Sequence, residues 1–167
     1  MRTLYVVRHA KSSWADPGMR DHVRPLNERG MHDAPMMAKV FKALNEPVEL
    51  IISSPANRAQ TTASFFAKEL NIPTDQIHFN ASIYEASVGS LMRIVQALPD
   101  HAEHVMLFGH NPGFSELAYY LCDEDPIALS TCAMVRIDLE IDQWEHASKG
   151  LGNMVWHEYP KRHPGQA

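Results

Sequence analysis

The segment Leu4-Tyr5-Val6-Val7-Arg8-His9-Ala10-Lys11-Ser12 decides how this chain folds. Four apolar residues run straight into two basic side chains. An apolar run this short and continuous fits a strand buried on both faces. Two other segments are built the same way. Leu50-Ile51-Ile52 leads into Ser53-Ser54-Pro55-Ala56-Asn57-Arg58, and Val105-Met106-Leu107-Phe108 leads into Gly109-His110-Asn111-Pro112-Gly113. Each strand pattern ends in a basic residue and a helix-start signal. In open α/β sheets, ligands bind just beyond the carboxyl ends of the strands. Arg8, His9, Arg58 and His110 gathered there would make a cationic pocket, and phosphate is its natural ligand.

The rest of the chain supports such a sheet. Strands are expected near 3–8, 49–53, 77–79 and 104–109, alternating with helices near 28–44, from 54, near 88–98 and near 112–122. That alternation implies a largely parallel sheet covered on both faces. Asn27 is a candidate N-cap for the first helix, and Met37, Val40, Phe41 and Leu44 give its core-facing stripe. Pro35 inside it predicts a kink or a later start. Ser54 as N-cap with Pro55 at the first helical position would open the second. After Cys122 the pattern changes. Val135, Ile137 and Leu139 alternate with Arg136, Asp138 and Glu140, the period of a strand with one wet face. A strand near 154–159 should pair with it at a sheet edge, and the tail from Pro160 is expected to fray.

The bulk properties set limits. With 167 residues the chain is expected to be one domain, 1–167, with a full core. A net charge of -5 argues against non-specific nucleic-acid binding, though not against a local phosphate pocket. No run approaches the roughly 18 apolar residues of a membrane span, and no leader pattern precedes the first strand. Cys122 and Cys132 lack C-x-x-C spacing and read as reduced cysteines of a cytoplasmic protein. No histidine pair has convincing metal-ligand spacing, so neither a metal nor a cofactor is expected. His101 and His104 are expected to be solvated in a loop.

Arg58 falls in the first turn of its helix, where the dipole disfavours a cation by a few tenths of a kcal/mol to about 1 kcal/mol. A bound anion would remove the conflict and use the free backbone N–H groups as well. Alone, Arg58 reads equally well as a solvated surface residue, His110 as a loop histidine, and Arg8-His9 as a chance pair. Three strand ends in one sheet carrying such groups are poorly explained by coincidence.

On these residues the sequence resembles the histidine phosphatase superfamily, the phosphoglycerate mutase-like fold, whose hallmark is a strand ending in Arg-His-Gly or Arg-His-Ala. Residues Leu4–Trp14 look like its SixA branch of small phosphohistidine phosphatases. Arg24-Pro25-Leu26-Asn27-Glu28-Arg29-Gly30 resembles that branch's next motif, Ser53–Thr62 the second arginine motif, and Gly109-His110-Asn111-Pro112-Gly113 the second histidine motif. The resemblance covers about residues 1–122 and leaves the last 45 without a motif. It implies a three-layer α/β/α fold with a mostly parallel central sheet and an antiparallel edge.

The resemblance also implies roles. His9 is the nucleophile that becomes phosphorylated, while Arg8, Arg58 and His110 bind the phosphoryl oxygens. Glu85, in Tyr84-Glu85-Ala86-Ser87, stands where many members carry a general acid. Lys11, Ser12 and Arg24 sit in loops near the pocket mouth and are expected to touch substrate. A neutral imidazole is a good nucleophile near pH 7. Two arginine forks would stabilise the charge spread over the equatorial oxygens. The expected activity is a metal-independent phosphatase that hydrolyses phosphohistidine on a protein through a covalent His9 intermediate. A small-molecule phosphomonoesterase is the alternative, and a phosphate-binding regulator without turnover is a third reading. A mutase fits less well, because a mutase must shield its phosphoenzyme from water and this chain is expected to be too short to roof its pocket. The expected partner is therefore a phosphorylated protein or a small phosphate ester, with no nucleic acid and no membrane.

Overall fold

A computed structural model describes residues 1–124 and 126–165. Its centre is a six-stranded sheet in the order β3-β2-β4-β1-β5-β6. The strands are β1 (Arg2–Arg8), β2 (Leu50–Ser53), β3 (His78–Phe79), β4 (His104–Gly109), β5 (Met134–Leu139) and β6 (Gly152–Glu158). β1, β2, β3 and β4 are mutually parallel, whereas β5 runs antiparallel to β1 and β6 antiparallel to β5. The sheet is thus mostly parallel with an antiparallel edge, as the switch to period-two patterning implied.

Side-chain alternation along β1 builds two cores. Leu4 and Val6 face one side with Leu91, Val95, Phe114 and Leu117, from the helices α3 (Val88–Gln96) and α4 (Gly113–Cys122). Tyr5 and Val7 face the other with Met37, Phe41, Ala63 and Phe66, from α1 (Glu28–Ala43) and α2 (Asn57–Glu69). Both faces of β1 are therefore dry, and its residues 4–7 are fully buried. Burying a side chain of this kind contributes about 1.5–3 kcal/mol, so the strand that ends in Arg8 and leads into His9 is firmly anchored.

Several local expectations need correction. Helix α2 begins at Asn57 with Ala56 at the cap, two residues later than the Ser54-Pro55 signal suggested. Ser54 instead turns its hydroxyl to the Ala56 N–H at 3.2 Å and to His110. Pro35 lies inside α1, which starts on time at Asn27, whose side chain accepts from the Gly30 N–H. His104 is not a solvated loop residue: it opens β4, and its Nδ1 lies 2.9 Å from a Glu49 carboxylate oxygen. The chain from Pro160 forms a short 3-10 turn with Pro160 buried. Among the described residues no helix is long and apolar enough to cross a membrane.

Candidate active site

Register brings the motif residues together. Arg8 pairs with Gly109 across β1 and β4, and Ser53 with Phe108 across β2 and β4. The residues that follow, His9, Ser54 and His110, therefore leave the sheet side by side. Their exits are pinned by backbone bonds from His9 N to Gly109 O and from Ser54 N to Phe108 O, both 3.0 Å. The rings of His9 and His110 lie 5.2 Å apart, centroid to centroid.

His9 is buried, and its Nδ1 lies 2.7 Å from the Ala10 carbonyl. A carbonyl only accepts, so Nδ1 carries the proton and Nε2 keeps its lone pair. Loss of solvation lowers the pKa of His9 to about 3, opposed by the bond to Ala10 and reinforced by His110, Arg58 and Arg8. The ring is therefore neutral at physiological pH. Burial, followed by Arg58, lowers His110 to about 4. Its Nε2 lies 2.8 Å from Ser54 Oγ. That hydroxyl also accepts from Ala56 N; when it donates its own hydrogen to Nε2, Nδ1 of His110 carries the proton and is a donor.

Three nitrogens around this pair are buried without a hydrogen-bond partner among the described residues: Nε of Arg8, Nε of Arg58 and Nδ1 of His110. A buried donor left unpaired costs about 1–3 kcal/mol. Arg8 and Arg58 nitrogens of this kind pair readily with an oxyanion.

Arg58 does not present the free terminal fork that sequence reasoning expected, whereas Arg8 is held through Nη1 alone among the described residues. Nη1 of Arg8 donates to the Leu129 carbonyl at 2.9 Å. Both terminal nitrogens of Arg58 go to Asp21: Nη1 to its carbonyl at 2.7 Å and Nη2 to its carboxylate at 2.9 Å. The conflict of a cation at the α2 start is thus relieved by a carboxylate of the chain itself. Asp21 carries no signal that sequence reasoning used. An acid three residues before the Arg24-Pro25 motif was the one available hint.

The other site candidates separate. Ser12 is buried and accepts from Nη1 of Arg24 at 2.8 Å. Arg24 also donates to the Ser13 carbonyl and to Asp21, and its guanidinium lies 3.6 Å from the centre of the Trp14 ring. Its nitrogens brace the loop, a correction to the expectation that it touches substrate. Lys11 is exposed. Glu85, at a positive φ of 54°, lines a cleft of about 300 Å³ with Ser87, His110, Asn111 and Glu116. It thus shares a cleft with the second histidine, while the neighbouring Tyr84 hydroxyl donates to the Asp21 carboxylate. The segment without a motif also serves the site. Leu129 holds both Arg8 and the Asn111 side chain, and Cys132 N donates to the His9 carbonyl at 3.0 Å. Among the described residues no group of three or more His, Cys, Asp or Glu side chains is arranged to hold a metal ion.

A neutral buried histidine beside a second histidine and two arginines, at the strand ends of a mostly parallel sheet, is an arrangement suited to holding a phosphoryl group in an α/β protein. The family model of the histidine phosphatase superfamily (branch 1) matches residues 4–116, and the chain belongs to that superfamily. An uncharacterized chloroplastic protein of Arabidopsis thaliana is 34% identical, covering 93% of this chain and 74% of the relative. The phosphohistidine phosphatase SixA of Escherichia coli is 26% identical over 94% of this chain and 93% of its own. A crystallised protein histidine phosphatase SixA complexed with tungstate superposes with a TM-score of 0.82 at 25% identity, covering 96% of this chain and 98% of the other. The chain is a SixA-type member with the phosphoglycerate mutase-like fold, and it falls among the phosphatase hydrolases.

Proposed function

We propose that the protein removes a phosphoryl group from a phosphohistidine displayed on another protein, by way of a phosphorylated His9. The observation that carries this reading is the pinned tautomer of His9 beside the unpaired nitrogens of Arg8, Arg58 and His110. In the first step the lone pair of Nε2 attacks phosphorus, and the bond from phosphorus to the substrate imidazole breaks. The leaving nitrogen takes a proton, for which Glu85 is the candidate donor. In the second step water attacks the phosphorus on His9, the Nε2–phosphorus bond breaks, and inorganic phosphate leaves. Arg8, Arg58 and His110 stabilise the charge on the equatorial oxygens throughout, so catalysis rests on positioning and electrostatics.

A protein substrate is favoured by what surrounds the pocket. Between α2 and Tyr84 the chain forms only short 3-10 turns and the two-residue β3, with no helix that would roof the site. The tungstate-bound SixA also supports the reading, since tungstate is a tetrahedral oxyanion like phosphate. The alternative is a small phosphate ester as substrate in the same pocket.

Two measurements test the proposal. Rapid quench with labelled substrate should trap an acid-labile, base-stable phosphoryl adduct on His9, and His9→Ala should be inactive. Phosphate found on a serine or cysteine, or an active His9→Ala protein, would sink it. A panel of phosphohistidine proteins and phosphorylated metabolites should show the higher kcat/KM for a phosphohistidine protein. Preference for a sugar phosphate moves the assignment to the metabolite reading.

A further inference from the structure

Asp21 lies in a 3-10 turn, Asp21–Val23, on the loop between Ser12 and Leu26. The loop is closed at its base by a bridge between those two residues. The loop is laid against α2 at two points. Asn57 Nδ2 donates to the Val23 carbonyl at 3.0 Å, and Arg58 reaches Asp21 through both terminal nitrogens. The Asp21 carboxylate also accepts from Nε of Arg24 at 3.0 Å and from the Tyr84 hydroxyl. Its side chain is 43% exposed while that of Arg58 is 8% exposed. The carboxylate therefore stands at the pocket mouth, between solvent and a buried guanidinium. Its donors, Tyr84 foremost, hold it well below the usual carboxylate range, so it is always charged. Its field reaches the second histidine, where it favours the protonated form.

We propose that Asp21 is a resident counter-anion of the phosphoryl pocket. It occupies the Nη1–Nη2 edge of the Arg58 guanidinium, leaves the Nε side toward the ligand, and by its charge keeps the affinity for dianions low enough for inorganic phosphate to leave. The proposal deepens the functional reading above and rests on Arg58 being a phosphoryl ligand.

The physical case is a balance of charges. A free guanidinium grips phosphate with two parallel bonds, and this grip is as strong on product as on the transition state. Binding of that uniform kind lowers KM and slows release without helping the chemical step. Asp21 takes the Nη1–Nη2 edge from the ligand, offsets the charge of the guanidinium and sets a like charge at the pocket mouth. Even at the dielectric of water, a unit charge at 4 Å changes affinity by about fivefold, and more at a half-buried site. The Nε side of the guanidinium remains to meet an equatorial oxygen in the transition state.

Calorimetric titration with inorganic phosphate tests this on the intact protein. The variants are Asp21→Asn, Asp21→Ser and Arg58→Ala. Asp21 is at the rim, and its backbone carbonyl, which holds Nη1 of Arg58, survives both substitutions at that position. We expect both Asp21 variants to bind phosphate about tenfold tighter. In turnover, KM and the inhibition constant of phosphate should fall together, with no gain in kcat. A purely structural support for Arg58 predicts the opposite: a loosened guanidinium, weaker phosphate binding and a higher KM. Phosphate binding that is unchanged or weaker in both Asp21 variants overturns the proposal. Arg58→Ala separates it from the functional reading. If that variant binds phosphate like the wild type, the phosphoryl role of Arg58 fails. If it loses binding while the Asp21 variants gain none, Asp21 alone is refuted.

Discussion

Nδ1 of His9 donates to the carbonyl of Ala10, the next residue in the chain, at 2.7 Å. One local bond thus fixes which ring nitrogen is nucleophilic, and burial keeps it unprotonated. Nitrogen-detected NMR of the histidine rings should show His9 as the Nδ1–H tautomer and both His9 and His110 neutral at pH 5. The shifts also carry a stability consequence. His9 and His110 titrate near 3 and 4 in the folded chain against 6.5 when exposed. The folded state therefore binds fewer protons in that interval, and stability should fall as pH drops from about 6.5 toward 4. His9→Asn should melt with a shallower acid dependence. A protonated His9 signal at pH 6 contradicts the assignment.

Asp21 holds the Nη1–Nη2 edge of Arg58, which leaves the Nε side of the guanidinium for a ligand. Arg58→Ala should lose roughly 100–1,000-fold in turnover, the usual effect of removing one preorganised charge-stabilising donor. Arg58→Lys cannot bond Asp21 twice and also face the ligand, so it should recover little of that loss. Near-normal turnover in Arg58→Ala with an unchanged melting temperature would count against the pocket.

The sheet and its strand-end groups were legible because both are written locally. Residues 4–7 are apolar without a break, and each basic group sits next to a helix-start signal. What escaped depends on contacts across the chain. Asp21 reaches Arg58 over 37 positions and Tyr84 over 63. Leu129 reaches Arg8 over 121 positions, using a backbone carbonyl that any residue could supply. The Ser54-Pro55 signal misled for a related reason: the hydroxyl that could cap α2 is drawn to His110 instead. Arg24 shows the same limit, since nothing local reveals that its donors are spent on Ser12, Ser13 and Asp21.

Gly30 gives a test of the loop's seat. A Cβ built there would lie 2.1 Å from the Lys11 carbonyl oxygen, so α1 packs directly on the backbone that follows Ala10. That carbonyl also accepts from Asn27 N at 2.9 Å. Gly30→Ala must push the Lys11–Ser12 backbone away and should cost about 1–3 kcal/mol, the range for overpacking a tight contact. Because Ser12 anchors Arg24 and thereby Asp21, turnover should fall further than stability alone explains. Chemical denaturation beside kinetics at a temperature where the variant is folded checks both. An unperturbed midpoint would show that the helix can shift at no cost.

The last prediction concerns Glu85 and the leaving group. Glu85 shares a cleft with His110, Ser87 and Glu116 and is itself exposed. An alkoxide leaving group needs a proton as its bond to phosphorus breaks, whereas an imidazole leaves far more readily. A general acid typically contributes 10²–10⁴-fold where the leaving group demands it. Glu85→Gln should therefore slow an alkyl phosphomonoester by about that factor and a phosphohistidine protein only mildly. The two substrates are best compared as kcat/KM on one preparation, with Glu116→Gln as a control that alters the charge of the same cleft. Equal losses on both substrates would show that Glu85 does not serve the leaving group. A similar selective loss in Glu116→Gln would assign the effect to the field of the cleft rather than to proton transfer from one carboxyl.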